Sequence, residues 1–271
     1  MNTREFKCVK IMTDLIENEG LVGIKTSFED EGASFNETIR LKQICNEAKT
    51  KLTLKIGGPE AIRDMKDAII IGVKGIVAPM VESEFGLKKF IQATKAHISE
   101  DNLSSIQLNI NIETISAIQN AEKMLSSKEA DSLYGVTVGR VDLVSSMGKD
   151  RSYVNSEEIY TLTRNVFVKA KEKGLKLCLG GAVSIDSLDF LRRLHSEGLL
   201  DKFETRYAIY DPSISLKNLS RALSKGQMLE YEWLKAKHEY YLSLANQDIK
   251  RIQMIQDRIN QSISSLGEDK G

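Results

Sequence analysis

From residue 21 onward the chain alternates short apolar runs with stretches whose apolar residues recur at helical spacing, the sign of βα units around a parallel sheet. Seven runs read as strands: LVGIKTSFE (21–29), KLTLKIGG (51–58), GIVAPMV (75–81), SIQLNINIE (105–113), YGVTVGRVD (134–142), KLCLGGAVS (176–184) and ETRYAIY (204–210). Helical stretches lie between them. In NETIRLKQICNEAK, Ile39, Ile44 and Ala48 fall near one face, and in PEAIRDMKDAIIIG, Pro59 suits a first helical turn. GIVAPMV and YGVTVG are almost continuously apolar, as strands covered on both faces are. The pattern predicts an α/β fold, a TIM-type (β/α)8 barrel over residues 21–225. Seven strands leave such a barrel one short, and the segment before residue 21 reads as helix, with Phe6, Val9, Ile11, Met12, Leu15 and Ile16 near one side. Either CVKIM (8–12) is a short strand or the first strand is absent, and absence is the preferred reading.

The last part of the chain is of another kind. No Gly or Pro occurs from Gln227 to Leu266, so an unbroken helix there would be about 60 Å long, too long to lie on one barrel. Leu234, Tyr241, Ala245, Ile252, Ile255 and Ile259 make an intermittent apolar stripe, which fits helix hairpins or an arm packing on another subunit. Tyr231, Trp233, Tyr240 and Tyr241 read as core or interface. The expected organisation is an N-terminal helix (1–20), a barrel (21–225) and a C-terminal helical extension (226–271) that supports a homo-oligomer, with fraying expected over SSLGEDKG (264–271).

Composition narrows the partners. The 271 residues suffice for one large α/β domain with an appendage, and 38 basic residues balance 38 acidic ones. No global field favours nucleic acid or an anionic membrane, so a small-molecule substrate is expected. Cys8, Cys45 and Cys178 are odd in number and widely spaced, which argues for reduced thiols rather than a disulfide framework or a zinc site. The N-terminus has no signal-peptide core and no window reaches the length of a membrane span, so a cytoplasmic location is expected.

Two acids at strand ends carry the candidate chemistry. Glu113 closes NINIE and Asp142 closes GVTVGRVD, each just before a helix. On one parallel barrel both would project from the face that bears catalytic groups, where hard oxygen ligands favour Mg²⁺ or Mn²⁺. Alternatively, each acid caps its helix. Gly57 and Gly58 in KIGGPEA, with Gly180 and Gly181 in LCLGGAV, also lie at strand ends. There they would either admit a ligand to free backbone amides or form tight turns.

Three segments, in order, resemble the HpcH/HpaI aldolase and citrate lyase β-subunit family of the pyruvate/phosphoenolpyruvate barrel superfamily: GIVAPMVES (75–83), NIETISAIQNA (111–121) and GRVDLVSSMG (139–148). The resemblance spans roughly residues 21–225. It implies a (β/α)8 barrel that often exchanges a C-terminal helix between subunits. It also implies Mg²⁺ or Mn²⁺ held by Glu113 and Asp142, and carbon–carbon bond chemistry beside a 2-oxo acid or an acyl thioester. In such chemistry a divalent cation takes up the charge of an enolate while a base removes a proton.

The chain departs from the family pattern at several positions. Lys55 stands where members place an Arg, keeping the charge but losing the bidentate fork. A Schiff-base role for Lys55 is the less favoured alternative because the metal pair is retained. Phe28-Glu29-Asp30 replaces a Gly-Glu-His segment and is nearer the Leu-Glu-Asp of lyase-like members. This gives Glu29 a role beside metal-bound water and gives Asp30 the place of the histidine, unless the run is a solvated acidic turn. His97, His195 and His238 all read as structural or exposed, so a base would be metal-bound water or a carboxylate whose pKa is raised by burial or by its neighbours. Arg140, beside Gly139, is expected to clamp a second anionic group of the substrate, with Arg206 a weaker candidate. The expected activity is that of a divalent-metal-dependent lyase or aldolase working through the enolate of a pyruvate-like 2-oxo acid. The alternatives are a citrate-lyase-like enzyme acting on an acyl thioester and a non-catalytic barrel serving in assembly or regulation.

Overall fold

In the computed structural model, which describes residues 1–268 and side chains through residue 264, the chain opens with helix α1 (Thr3–Asn18). Strands and helices then alternate: β1 (Leu21–Ser27), α2 (Phe35–Glu47), β2 (Leu52–Lys55), α3 (Ile62–Ile71), β3 (Gly75–Ala78), α4 (Glu84–His97), α5 (Glu100–Ser105), β4 (Gln107–Ile112) and α6 (Ile115–Ser126). They continue as β5 (Gly135–Gly139), α7 (Arg140–Ser146), α8 (Glu157–Glu172), β6 (Lys176–Gly180), α9 (Leu188–Ser196), β7 (Lys202–Glu204), β8 (Ala208–Tyr210), α10 (Pro212–Ser215) and α11 (Leu219–Glu268). Helix starts are set by local chemistry. Asn2 and Ser34 each form a reciprocal capping box, with Glu5 and Glu37, and Ser83, Ser99, Thr114 and Ser156 cap α4, α5, α6 and α8.

The eight strands close a barrel in chain order, β1 to β7 all parallel. The eighth strand differs from the expectation in its origin and its direction. The run ETRYAIY is not one strand: the Thr205 N–H donates to Ala208 O at 2.9 Å, turning the chain into a tight hairpin. β8 therefore runs antiparallel to both neighbours, pairing Phe203 with Tyr210 and Ile24 with Ala208. It fills the gap left by the absent N-terminal strand. CVKIM lies inside α1, whose Cys8, Met12 and Leu15 are buried.

The barrel interior is polar toward one end, and small residues make the room for it. Glycines 75, 135, 139 and 180 face larger neighbours: a Cβ on Gly75 would meet Thr53 Oγ1 at 3.1 Å, and one on Gly180 would meet Glu204 Oε1 at 3.2 Å. Apolar residues such as Ile76, Ile110, Val138 and Leu179 point outward under the helices and are buried.

α11 is a single helix of 50 residues, about 75 Å long, not a hairpin. Its first part packs on the barrel and on α1 through buried Leu219, Ala222, Leu229, Trp233 and Ala236, and Arg4 of α1 pairs with Glu232 at 2.9 Å. From Leu242 to residue 264 it leaves the barrel, with every side chain but Met254 exposed. The helix continues through most of the tail expected to fray, and residues 269–271 lie outside the described residues. Among the described residues no helix is long and apolar enough to cross a membrane.

Candidate active site at the C-terminal mouth of the barrel

The C-terminal ends of the parallel strands surround a cavity of about 350 Å³. Lys55 ends β2, Glu113 follows β4, Gly139 ends β5, Gly180 ends β6 and Glu204 ends β7, while Glu29, Asp30 and Glu31 come from the loop after β1. Neither Glu113 nor Asp142 caps a helix. Thr114 takes that role for α6, and the start of α7 has no side-chain cap. Both carboxylates line the cavity.

Glu113 is 2% exposed. Its Oε1 accepts from the Met80 N–H and its Oε2 from Asn111 Nδ2, both at 3.0 Å. Met80 donates from a left-handed backbone, φ 51°, a conformation that costs a non-glycine residue about 1 kcal/mol or more and is commonest at functional sites. Burial raises the pKa of Glu113, while Lys55 and the two hydrogen bonds oppose the rise. Burial likewise raises Asp142, against Lys55 and with Glu29 and Asp30. The Lys55 ammonium lies 2.8 Å from Glu29 Oε2. Burial acts to lower its pKa, but Glu113, Glu29 and Asp30 outweigh burial, so Lys55 stays charged.

The acidic run after β1 divides in an unexpected way. Asp30 is lowered: burial pushes it up, but Ser27, Lys55, Lys25 and Arg206 prevail. Glu31 is the carboxyl that rises, through burial and the nearby charge of Asp30, opposed by hydrogen bonds from Tyr207 and Thr26. Asp30 therefore moves opposite to the expected elevation, and the raised carboxyl beside it is Glu31.

Arg140 is not a substrate clamp. Its guanidinium is fully buried and donates to Gly180 O, Val154 O, Asn155 Oδ1, Gly181 O and Ser187 Oγ, with Phe190 4.9 Å away. Burial pushes its pKa down to about 10. It ties the loop after β6 to the turn after α7, so the orphan carbonyls of both segments are satisfied by one fork. Gly57 and Gly58 also lie elsewhere, in a shallow depression with Pro59 and Phe85, and the Gly57 N–H is taken by Asp64 Oδ2 at 2.7 Å. Gly139, Gly180 and Gly181 do line the cavity. A Cβ on Gly139 would lie 2.6 Å from Glu113 Oε2. None of the three histidines lines it, whereas Arg206 does.

Several polar wall residues escaped sequence reasoning, among them Lys25, Asn111, Thr137, Arg151 and Glu204. Lys25 pairs with Glu204. Burial works against its charge, and Glu204 more than restores it. Cys178 donates to the same carboxylate at 3.7 Å, and burial drives its thiol well up. The signal was present in the alternation of NINIE, which turns Asn109, Asn111 and Glu113 to one face, and in a lysine set within the apolar run LVGIKTS.

The sequence profile of HpcH/HpaI aldolase/citrate lyase matches residues 39–193. The chain belongs to this family. The matched segment contains Lys55, Glu113 and Asp142 but stops short of Lys25, the Glu29–Glu31 run and the β7–β8 hairpin. The fold is similar to that of an HpcH/HpaI aldolase from Desulfitobacterium hafniense DCB-2, at 15% identity and TM-score 0.60, over 75% of this chain and 81% of that one. Citrate synthase SbnG is similar at 14% identity and TM-score 0.60, over 82% and 89% of the two chains. An HpcH/HpaI aldolase/citrate lyase family protein from Burkholderia cenocepacia J2315 is similar at 11% identity and TM-score 0.57, over 88% and 99%. At these identities the likeness is one of fold. No curated protein matches the chain.

For a member of this family the donor set fits a divalent cation. No three His, Cys, Asp or Glu side chains form a complete ligand group among the described residues. Mg²⁺ commonly takes only one or two carboxylates and completes its shell with water and substrate. Six acids line the cavity against four bases, a formal charge of −2. Asn111 Oδ1, two bonds from the amide nitrogen that holds Glu113, is buried with no hydrogen-bond partner. An orphaned oxygen on the residue that holds the Glu113 carboxylate is the kind of group a cation site accounts for.

Proposed function

We propose that this chain is a divalent-metal-dependent carbon–carbon lyase or aldolase acting through the enolate of a pyruvate-like 2-oxo acid. The observation that carries this reading is the convergence of Glu113, Asp142 and the Lys55 ammonium on one cavity, with Lys55 electrostatically coupled to both acids. Glu113 and Asp142 would hold Mg²⁺ or Mn²⁺, and Asn111 Oδ1 is placed to support them. When bound, such a cation supplies Lewis acidity toward the carboxylate and keto oxygens of a 2-oxo acid.

The remaining steps belong to this chain's own side chains. Lys55, fixed by Glu29, meets negative charge as it develops on the keto oxygen and needs no reorganisation to do so. Asp30 stays ionised and accepts hydrogen bonds from the reacting partner. Glu31 is the carboxyl shifted toward the range in which a proton is taken up and returned, so we assign the proton transfer to it. A thioester partner in place of a free 2-oxo acid would use the same enolate groups.

Exchange of the pyruvate methyl protons in D₂O, followed by NMR, tests the reading without knowledge of the second substrate. Exchange should require Mg²⁺ or Mn²⁺, stop with a chelator, and be lost in Glu113→Gln and Asp142→Asn. Exchange that is metal-independent, or that survives both substitutions, overturns it.

A further inference from the structure

Helix α11 changes surroundings half-way along its length. Its first part buries one face on the barrel and α1 through Leu219, Ala222, Leu229, Trp233 and Ala236. From Leu242 onward that support ends, and Leu242, Ile249, Ile252, Ile259 and Ile263 lie in the open, with Ile249, Ile252 and Ile263 at 61%, 65% and 63% exposure. Little in this arm sustains a helix standing alone in water. Its six Ile are β-branched, and the Asn, Asp and Ser between them are weak helix formers. The polar contacts along it are local ones between exposed side chains, such as Gln253 Nε2 to Asp257 Oδ1 at 2.9 Å and Gln256 Nε2 to Asn260 Oδ1 at 3.2 Å. A helix in a folded protein owes most of its stability to packing an apolar face, and among the described residues nothing packs on this one.

The pattern of the arm identifies what covers it. Its apolar residues follow a seven-residue repeat, with Leu242, Ile249 and Ile263 at one seam position, Ala245, Ile252 and Ile259 at the other, and Gln256 the one polar member. A period of 3.5 residues keeps such a seam facing a helix of the same period, which a barrel surface does not have. The seam also points the right way. At about 100° per residue it lies roughly 140° around the helix from the stripe buried on the barrel, so several arms can meet with their barrels on the outside. The flanking positions, Asn246, Asp248, Gln253, Ile255, Asn260 and Ser262, carry one charge among them, so identical helices meet almost no like-charge barrier.

The seam also sets orientation and strand number. In a parallel, in-register bundle each Gln256 meets its own copies, and the amides donate and accept among themselves. The antiparallel register that overlaps the whole arm sets Gln256 against Ile252 instead, burying an amide without a partner. Ile recurs at both seam positions, a pattern that disfavours two strands. Ile255 at a flanking position widens the apolar stripe beyond the seam that a single partner helix covers.

We propose that residues 242–263 form a parallel three-stranded coiled coil with two further copies of this chain. In the full-length protein, Ile252→Cys and Gln256→Cys, each alone, should form disulfide-linked pairs of chains on mild oxidation. Gln247→Cys, on the outer face of the same helix, should not, and neither should the unaltered chain, whose own cysteines are buried or half-buried. Light scattering at tens of micromolar should give a mass of three chains or a multiple of three. Cross-linking confined to an equimolar mixture of the Ile252→Cys and Gln256→Cys proteins marks antiparallel arms and overturns the proposal. Equal cross-linking at all three positions, none at any, or a mass that is not a multiple of three chains overturns it as well.

Discussion

The Lys55 ammonium sits 2.8 Å from Glu29 Oε2 while acting electrostatically on Glu113, Asp142 and Asp30 as well. One cation therefore neutralises part of a four-carboxylate ring and is itself held by only one member of it. Lys55→Met should cost about 10²–10³ in kcat, the usual loss when a preorganised charge at the developing oxyanion is removed. Mn²⁺ affinity should rise in the same variant, because a competing positive charge has gone. Lys55→Arg should keep part of the activity, since the charge survives in a different shape. A K55M enzyme with undiminished turnover, or with weaker Mn²⁺ binding by titration, contradicts this account.

Among the described residues no donor hydrogen-bonds the Asp142 carboxyl, which is raised by burial, with Glu29 and Asp30 adding repulsion against the pull of Lys55. A carboxyl whose folded pKa exceeds its unfolded value holds its proton more tightly in the folded state. Its ionisation therefore costs stability, with nothing lost below the unfolded value of 3.8 and a growing loss as pH rises through the folded pKa. Asp142→Asn escapes this cost. In metal-free protein at neutral pH the variant should melt about 1–3 °C higher than wild type, and the two curves should converge near about pH 3.5. Saturating Mg²⁺ should reverse the order, because only the wild type gains binding energy. Calorimetry at both pH values with and without metal checks all three statements.

The repeating strands, the polar barrel mouth and the two metal-binding candidates were legible because they follow from local pattern: apolar runs of strand length, and an acid at the end of each of two of them. The antiparallel closure was not. ETRYAIY is continuous as a sequence, and only the Thr205–Ala208 hydrogen bonds, made once β1 offers an open edge, fold it back. Arg140 misled for a related reason. An arginine two residues before a metal-ligand candidate reads as a substrate contact, but Arg140 directly follows Gly139, which lines the cavity at the end of β5, and successive strand positions face opposite sides. Arg140 therefore turns into the layer between barrel and helices. The Lys25–Glu204 pair joins the first and seventh strands, a contact that exists only after the barrel closes.

Arg140 should consequently behave as a structural residue. Arg140→Met leaves Gly180 O, Gly181 O and Val154 O without donors while removing a buried charge, for a net loss of about 2–4 kcal/mol. Arg140→Lys should recover little, since one ammonium cannot span carbonyls on two segments. Denaturant unfolding reads the loss. A variant of full stability with a raised KM would instead make Arg140 a substrate residue.

Gly139 gives the sharpest separation between stability and function. Its backbone is ordinary, φ −93°, so alanine brings no conformational strain, only a methyl group 2.6 Å from Glu113 Oε2 and 3.0 Å from its Cβ. The methyl cannot displace the strand, which pairs with β4 on one side and β6 on the other, so Glu113 must move instead. That movement breaks the hydrogen bonds from Met80 and Asn111, at a cost of about 1–3 kcal/mol as for other overpacked sites. Gly139→Ala should still fold, with a modestly lowered denaturation midpoint, but Mn²⁺ affinity should fall at least tenfold and methyl-proton exchange with it. Gly180→Ala is the control of the opposite kind: its methyl would press on Glu204 at 3.2 Å, away from Glu113, and should spare metal binding. Equal loss of Mn²⁺ affinity in both variants would show that crowding anywhere in the cavity, rather than displacement of Glu113, is what the metal feels.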